Sequence, residues 1–355
     1  MCIRSGDRTV KGMRPYKDVK LKDIANALGI SVVSVSNALR GKRGVSDELR
    51  KKVCEEAKRL GLDLTVYERQ IEKKSEIVEH KYTISIAVIV SQRYISIGTS
   101  FYWQMYQKTA YIAAGRGCIT TLEIADDEHE AVAPLIIRQQ EVDGVIVIGP
   151  MREPFLKSLL NAAACPVVFM DQQIGYGKYS AVLSGNYYGM YRSTYELVLA
   201  GHKEIGFVGT LAGSGNIIDR YYGYKKCMRE NGLKVLKQWV LSDRKGKNEI
   251  PGIKLPEHLP SAFACSSDYA AAILYDALKE RAVRVPEDIS IVGYDDYLIG
   301  HELSGKLTTY RVDLERMAKC AVKLVLREIQ DPMTSGVIYE VDSYVIKRES
   351  VRRIV

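Results

Sequence analysis

No apolar run in the 355 residues approaches the ~18 that cross a bilayer, and Met1 to Lys20 is polar and basic, not apolar. A membrane-spanning or signal-led chain is therefore not expected, and the cytoplasm is the expected compartment. Cysteine is scarce and shows no pairing pattern. The seven (Cys2, Cys54, Cys118, Cys165, Cys227, Cys265 and Cys320) are scattered, odd in number and never spaced C-x-x-C, which argues against a disulfide frame and a zinc site. The five histidines (His80, His129, His202, His258 and His301) are isolated, and no H-E-x-x-H occurs. The glycine-rich run Gly206–Gly215 lacks both the G-K-[ST] ending of a phosphate loop and G-x-G-x-x-G spacing. No G-x-S-x-G elbow is present. The acidic run Asp126–Glu130 reads as a solvated helix start and not as a metal site. No catalytic residue, metal ligand or cofactor is assigned, and an enzyme is not expected.

What the chain does have is an uneven charge. It carries 51 basic and 43 acidic residues; residues 1–81 hold 19 and 12 of these, and the remainder 32 and 31. Nearly all the positive excess thus lies in the first quarter. A basic module on a neutral body suits phosphate-backbone binding, because each Lys or Arg placed on a phosphate releases a counterion. The plain alternative is a solvated basic tail.

The length suggests two or three domains at roughly 150 residues each. Residues 1–16 show no periodicity and read as a disordered leader. Residues 17–61 read as three short helices, and 62–81 as a charged linker. From residue 82 the texture is β–α alternation. Strand-like runs are Ile84–Val90, Gly144–Ile148, Val167–Met170, Ile205–Val208, Ala262–Cys265, Ile289–Val292 and, last, Val341–Lys347. Helical patterns include Tyr102–Gly115, Met190–Ala200, Tyr221–Asn231 and Tyr269–Arg281. This alternation predicts parallel sheets with helices on both faces, in two α/β subdomains.

In the head, Ile24 and Leu28 lie one turn apart on a buried face, with small Ala25 where two helices approach closely. Gly29 supplies the turn and Ser31 caps a second helix. Val35, Ala38 and Leu39 face inward, leaving Val32, Val33, Ser34, Ser36 and Asn37 exposed. Ser46 opens a third helix, with Asp47 and Glu48 at its positive end and Val53, Ala57 and Leu60 facing inward. This spacing is that of a helix-turn-helix, whose second helix enters the DNA major groove.

Asp23-Ile-Ala-x-x-Leu-Gly-Ile-Ser31, Val35-Ser36-x-Ala-Leu, Gly44-Val-Ser46 and Leu49-Arg50 resemble the head of the LacI/GalR family of bacterial transcriptional regulators. The resemblance implies that Ser31, Val32, Val33, Ser34 and Asn37 meet DNA. Two valines can touch thymine methyls, which gives an A/T-biased readout, and Asn37 suits adenine. Lys42 and Arg43 would hold phosphates. Ile71 stands where the family places a minor-groove wedge. The hinge departs from the family: its proline is missing and Glu68 replaces a small residue, so a solvated linker helix is the alternative.

The resemblance continues through Ser184-Gly-Asn-Tyr-Tyr-Gly189, Ala200–Gly209, Asp219-Arg-Tyr-Tyr-Gly-Tyr224, Pro286–Asp296 and Leu307-Thr-Thr309. It implies a type I periplasmic-binding-protein-like core, residues 82–355. The N-subdomain would be about 82–182 and 311–340, the C-subdomain about 183–310 and 341–355, with ligand in the cleft between them. Phe101, Tyr102, Asp171, Leu183, Arg220, Ser267 and Asp295 fall at pocket positions. A carboxylate and a guanidinium converging on one cleft suit a polyhydroxylated ligand, so the implied effector is a sugar or sugar derivative. Asp171, Arg220 and Asp295 could equally form an interdomain salt-bridge set, and Phe101 and Tyr102 could be core packing. Ser267 replaces the family's Asn, Gly185 replaces a common Asp, and Asp243–Pro260 lacks an expected helix. Taken together, the expectation is a transcriptional regulator: a homodimer on a pseudo-palindromic double-stranded DNA operator, with no tetramerisation helix. The alternative is a ligand-binding receptor of the same fold without a DNA role.

Overall fold

The computed structural model describes residues 19–39, 45–62, 64, 83–95, 100–127, 129–175, 178–245 and 250–354. The expected leader, most of the linker with Ile71, and Lys42 and Arg43 lie outside these residues. The chain divides into two compact units, Met1–Tyr82 and Thr83–Val355.

The first unit holds three helices, α1 (Leu21–Leu28), α2 (Val32–Leu39) and α3 (Asp47–Leu60). The Asp23 carboxylate accepts the Lys20 backbone N–H at 2.9 Å and starts α1. At φ +65°, Gly29 ends it, and its N–H returns to the Ala25 carbonyl. This left-handed cap is nearly free for glycine alone. The Ser31 hydroxyl accepts the Ser34 N–H at 3.0 Å and opens α2, and the Ser46 hydroxyl accepts the Leu49 N–H at 3.2 Å and opens α3. Ile24, Ala25, Val35, Ala38, Leu39, Val53 and Ala57 form one buried cluster, which Leu64 closes from beyond the third helix.

In the second unit the elements are β1 (Ser85–Ser91), α4 (Gln92–Ile95), α5 (Phe101–Ala114), β2 (Ile119–Ala125), α6 (Leu135–Arg138), β3 (Gly144–Ile148), α7 (Glu153–Ala162), β4 (Val167–Met170), β5 (Ser180–Ser184), α8 (Asn186–Leu199), β6 (Ile205–Val208), α9 (Gly215–Glu230), β7 (Val240–Leu241), β8 (Arg244–Lys245), β9 (Ile250–Pro251), β10 (Ala262–Cys265), α10 (Asp268–Glu280), β11 (Ser290–Asp295), β12 (Thr308–Arg311), α11 (Leu314–Gln330), β13 (Ile338–Val341) and β14 (Val345–Ile346). They build two six-stranded sheets. The first has the order β13-β5-β4-β3-β1-β2 and is parallel throughout. The second has the order β14-β12-β11-β10-β6-β7 and is parallel except for the β12–β14 pair. Helices on both faces of each sheet explain why its central strands read as unbroken apolar runs. No helix among the described residues is long and apolar enough to cross a membrane.

The chain passes between the sheets three times: after β5 at Gly185, after β12 at residues 311–313, and after β13 at residues 342–344. Two expectations change here. The first passage lies two residues beyond 182, since Leu183 and Ser184 still pair with β13. The run Val341–Lys347 is not one strand, because Val341 belongs to the first sheet and Val345–Ile346 to the second. The turn between them is fixed by Asp342, whose carboxylate takes both Arg192 amino groups at 2.7 and 2.9 Å and the Tyr310 hydroxyl at 2.9 Å. Between residues 243 and 260 the described residues form the small β8–β9 pair and no helix.

Helices α8 and α9 pack in unusually close register. A Cβ at Gly223 of α9 would lie 2.0 Å from the backbone oxygen of Tyr187 on α8, and no rotamer change can relieve a backbone clash. Gly223→Ala is expected to destabilise the second unit by about 1–3 kcal/mol, read as a lower denaturant midpoint. An unchanged midpoint would mean that the two helices separate freely.

Candidate functional site

On the first unit, α2 is fixed from within: Val35 is fully buried while Val33, two residues earlier, is 68% exposed. Val32 is exposed as well, and the Ser34 hydroxyl is tied to that of Ser31 at 2.9 Å. The capped end of α2 therefore presents two apolar side chains to solvent, and Asn37 follows one turn on, half-buried.

In the second unit, the carboxyl ends of the strands bring Asp171, Arg220 and Asp295 together. Asp171 follows β4, Asp295 ends β11, and Arg220 projects from α9. The Arg220 Nε donates to the Asn186 side-chain oxygen and its Nη1 to the Ser266 carbonyl, both at 2.8 Å. Nη1 also lies 3.6 Å from Asp295, and the guanidinium carbon sits 3.8 Å from the Tyr294 ring centre. Asp171 accepts the Tyr102 hydroxyl on Oδ2 at 2.8 Å, and its backbone carbonyl accepts the Asn216 amide at the same distance. Asn216 in turn accepts from Asn186 at 3.2 Å. A polar chain thus runs Tyr102, Asp171, Asn216, Asn186, Arg220 and binds residues of both sheets.

Burial pushes the Asp171 and Asp295 carboxyls above the ordinary carboxylate range, and the Arg220 guanidinium opposes this in both. Both aspartates hold positive φ, +59° and +117°, a conformation that costs side-chain-bearing residues and clusters at functional sites. Beside them lies a cavity of about 180 Å³ lined in part by Asp295, Tyr297 and Leu314. That is less than the ~300 Å³ at which ligand pockets typically begin, and neither Asp171 nor Arg220 lines it.

Residues 20–61 match the model of the bacterial regulatory proteins of the lacI family, and residues 194–351 match that of a periplasmic binding protein-like domain. Over 340 residues the chain is 27% identical to the ribose operon repressor of Haemophilus influenzae, covering 93% of this chain and 98% of that one. The chain belongs to the lacI family. Among solved structures, a complex of the transcriptional regulator CelR with cellobiose superposes with a TM-score of 0.64 at 21% identity, over 94% of this chain and 99% of the other. The lac repressor dimer bound to operator and the anti-inducer ONPF gives 0.59 at 20% identity, over 95% and 100%. At these identities the structural likeness speaks for the fold. The family membership makes this chain a regulator of transcription with a DNA-binding head and a ligand-binding core, not an enzyme.

For a lacI-family cleft, the expected residues divide. Tyr102, Asp171, Arg220 and Asp295 meet. Phe101 is half-buried and turns its ring edge-on to Tyr297 at 6.0 Å. Leu183 does not join them: strand alternation places it on the opposite face of the first sheet, against the cluster of Phe169 and Ala181. The Ser267 hydroxyl is used as the cap of α10, accepting the Ala270 N–H at 3.0 Å. Asn186, Asn216 and Tyr294 were not foreseen. Asn186 lies within the Ser184–Gly189 motif, and Asn216 directly follows the glycine-rich run Gly206–Gly215, whose spacing speaks only to phosphate binding. Spacing gives no sign that the two amides meet.

Asp268 is a further buried carboxylate, next to the cluster. It accepts the Thr309 hydroxyl at 2.6 Å and the Tyr297 N–H at 2.8 Å, and burial raises its pKa to about 7. A carboxyl whose folded pKa lies above its unfolded one binds its proton more tightly when folded. Its contribution to stability is complete below about pH 4 and is lost as pH rises through about 7. Asp268→Asn should therefore remove a loss of about 1 kcal/mol per pH unit between pH 5 and 7, measured by urea unfolding at stepped pH. Parallel profiles for wild type and variant would show that Asp268 titrates normally.

Proposed function

We propose that this lacI-family chain is a repressor that works as a homodimer on a pseudo-palindromic operator, with affinity set by a sugar or sugar derivative in the core cleft. The proposed organisation is a head at 17–61, a hinge at 62–81 and a core at 82–355. The observation that carries the reading is the capped α2, whose exposed Val32 and Val33 precede a fully buried Val35, inside the segment that matches the family. In this reading Ser31 and Ser34 stand at the DNA, the two valines contact thymine methyls, and Asn37 reads adenine. Lys42 and Arg43 take phosphates, and Ile71 serves as the minor-groove wedge. The lac repressor was solved as a dimer on operator, which supports two heads on one two-fold site. The compartment is the cytoplasm, where such DNA is.

For the core, the support is the convergence of Asp171, Arg220 and Asp295 at the carboxyl ends of the strands, together with the solved CelR–cellobiose complex. Ligand acts by population shift: it must bind one arrangement of the two sheets better than the other.

Selection of bound sites from random DNA by the full-length protein, at stated salt, tests this reading. The expected result is a two-fold palindrome with A/T-rich half-sites, with Val33→Asp losing about 1–3 kcal/mol of specific binding. Weak, sequence-independent and salt-sensitive binding by the wild type would reject the operator reading.

A further inference from the structure

The charge inventory of the cleft narrows the ligand class, on the reading above that the ligand is a carbohydrate. Three ionisable groups converge at its inner end: the carboxylates of Asp171 and Asp295 and the single guanidinium of Arg220. Of the neighbouring charges, Arg93 lies 3.4 Å from Asp127 and Arg348 2.6 Å from Asp296, while the buried Asp268 is met by hydrogen bonds from Thr309 and Tyr297 and adds no positive charge. Arg220 itself is committed on Nε and Nη1 to Asn186 and Ser266. Two buried carboxylates therefore share one cation. The cations Lys108 and Arg311 also line the adjoining cavity but are exposed, where water and salt screen them.

Asp171 adds a second observation. It is 3% exposed, and its Oδ1 is buried without a hydrogen-bond partner of good geometry among the described residues, the Ser184 hydroxyl and the Asn216 amide standing near enough to favour the charged carboxylate but not aligned to satisfy it. A buried acceptor left unmatched is costly, so the position calls for a donor: a hydroxyl or an ammonium. A phosphate or carboxylate placed there would bring further acceptors and a like charge.

We propose that the cleft takes polyhydroxy ligands that carry no negative charge, neutral sugars or amino sugars, and rejects sugar phosphates and sugar acids. One added anion about 6 Å from the Asp171 carboxylate, at an effective dielectric near 20, corresponds to roughly a 100-fold weaker affinity. The discrimination resides in Asp171, since among the described residues only Asp295 lies within ion-pair distance of Arg220.

Isothermal titration of the full-length protein tests this with ribose, glucose, cellobiose and glucosamine against ribose 5-phosphate, glucose 6-phosphate and gluconate. A neutral 6-O-methyl glucose controls for size. The expected result is that the neutral or amino sugar that binds does so about 100-fold more tightly than its anionic counterpart, and that Asp171→Asn narrows this gap to about 10-fold or less. An anionic sugar that binds as tightly as its neutral parent overturns the proposal. A gap left unchanged by Asp171→Asn also overturns it, by showing that bulk and not charge discriminates. Silence across the whole panel is a different result: it removes the carbohydrate reading, and this inference with it.

Discussion

The second unit depends on a single buried cation. Arg220 is 6% exposed, and removing a guanidinium from water is costly unless its charge and its N–H groups are met. Here Asp295 supplies countercharge, Asn186 and the Ser266 carbonyl accept its protons, and the Tyr294 ring lies beneath it. These partners come from α8, the end of β10 and the end of β11. Satisfying one side chain thus fixes where α8 begins and where β10 and β11 end. Through Asn186 and Asn216 it also reaches Asp171 at the carboxyl end of β4 in the first sheet. The unfavourable backbone of Asp171 and Asp295 is held by the same network.

Such a cluster suits a switch. The two sheets are joined by three chain passages, and near one of them Arg192, Asp342 and Tyr310 form a fixed knot. Only a few polar bonds near the cleft cross from one sheet to the other. A ligand that supplies a donor to the unpartnered Oδ1 of Asp171 stabilises the arrangement in which that atom is reachable, and so changes the relative stability of closed and open arrangements. Asp171 and Arg220 are both buried, so an opening that breaks their bonds without admitting water leaves groups unmatched, which favours two discrete states over a continuum.

Much of this was legible in the sequence, for identifiable reasons. Gly144–Ile148, Val167–Met170, Ile205–Val208 and Ala262–Cys265 read as strands with these same bounds because central parallel strands are apolar on both faces. The three head helices were legible from Gly29, Ser31 and Ser46, whose caps form as their residue types suggest. Strands β5 and β12 were not, because polar residues interrupt their runs. Ser180 is buried against Glu328, Thr309 against Asp268, and Thr308 donates to the Arg348 carbonyl. Edge strand β2 was missed because half of its surface faces solvent, with Ile119 and Ile124 exposed. Within the site, the charged residues were legible because Asp and Arg at strand and helix ends are chemically conspicuous. The two asparagines were not, since their role exists only once segments 30 residues apart meet. Leu183 failed on strand parity, which a motif position does not record.

The most direct test of the central interaction is a double-mutant cycle on Asp295 and Arg220, using unfolding free energies of the wild type, Asp295→Asn, Arg220→Met and the double variant in urea at neutral pH. If the guanidinium is what makes the buried carboxylate tolerable, Arg220→Met alone is strongly destabilising and the double variant recovers part of the loss, with a coupling of about 1 kcal/mol or more. Additive losses, within about 0.3–0.5 kcal/mol, would contradict the account and show that Arg220 and Asp295 are neighbours without being partners.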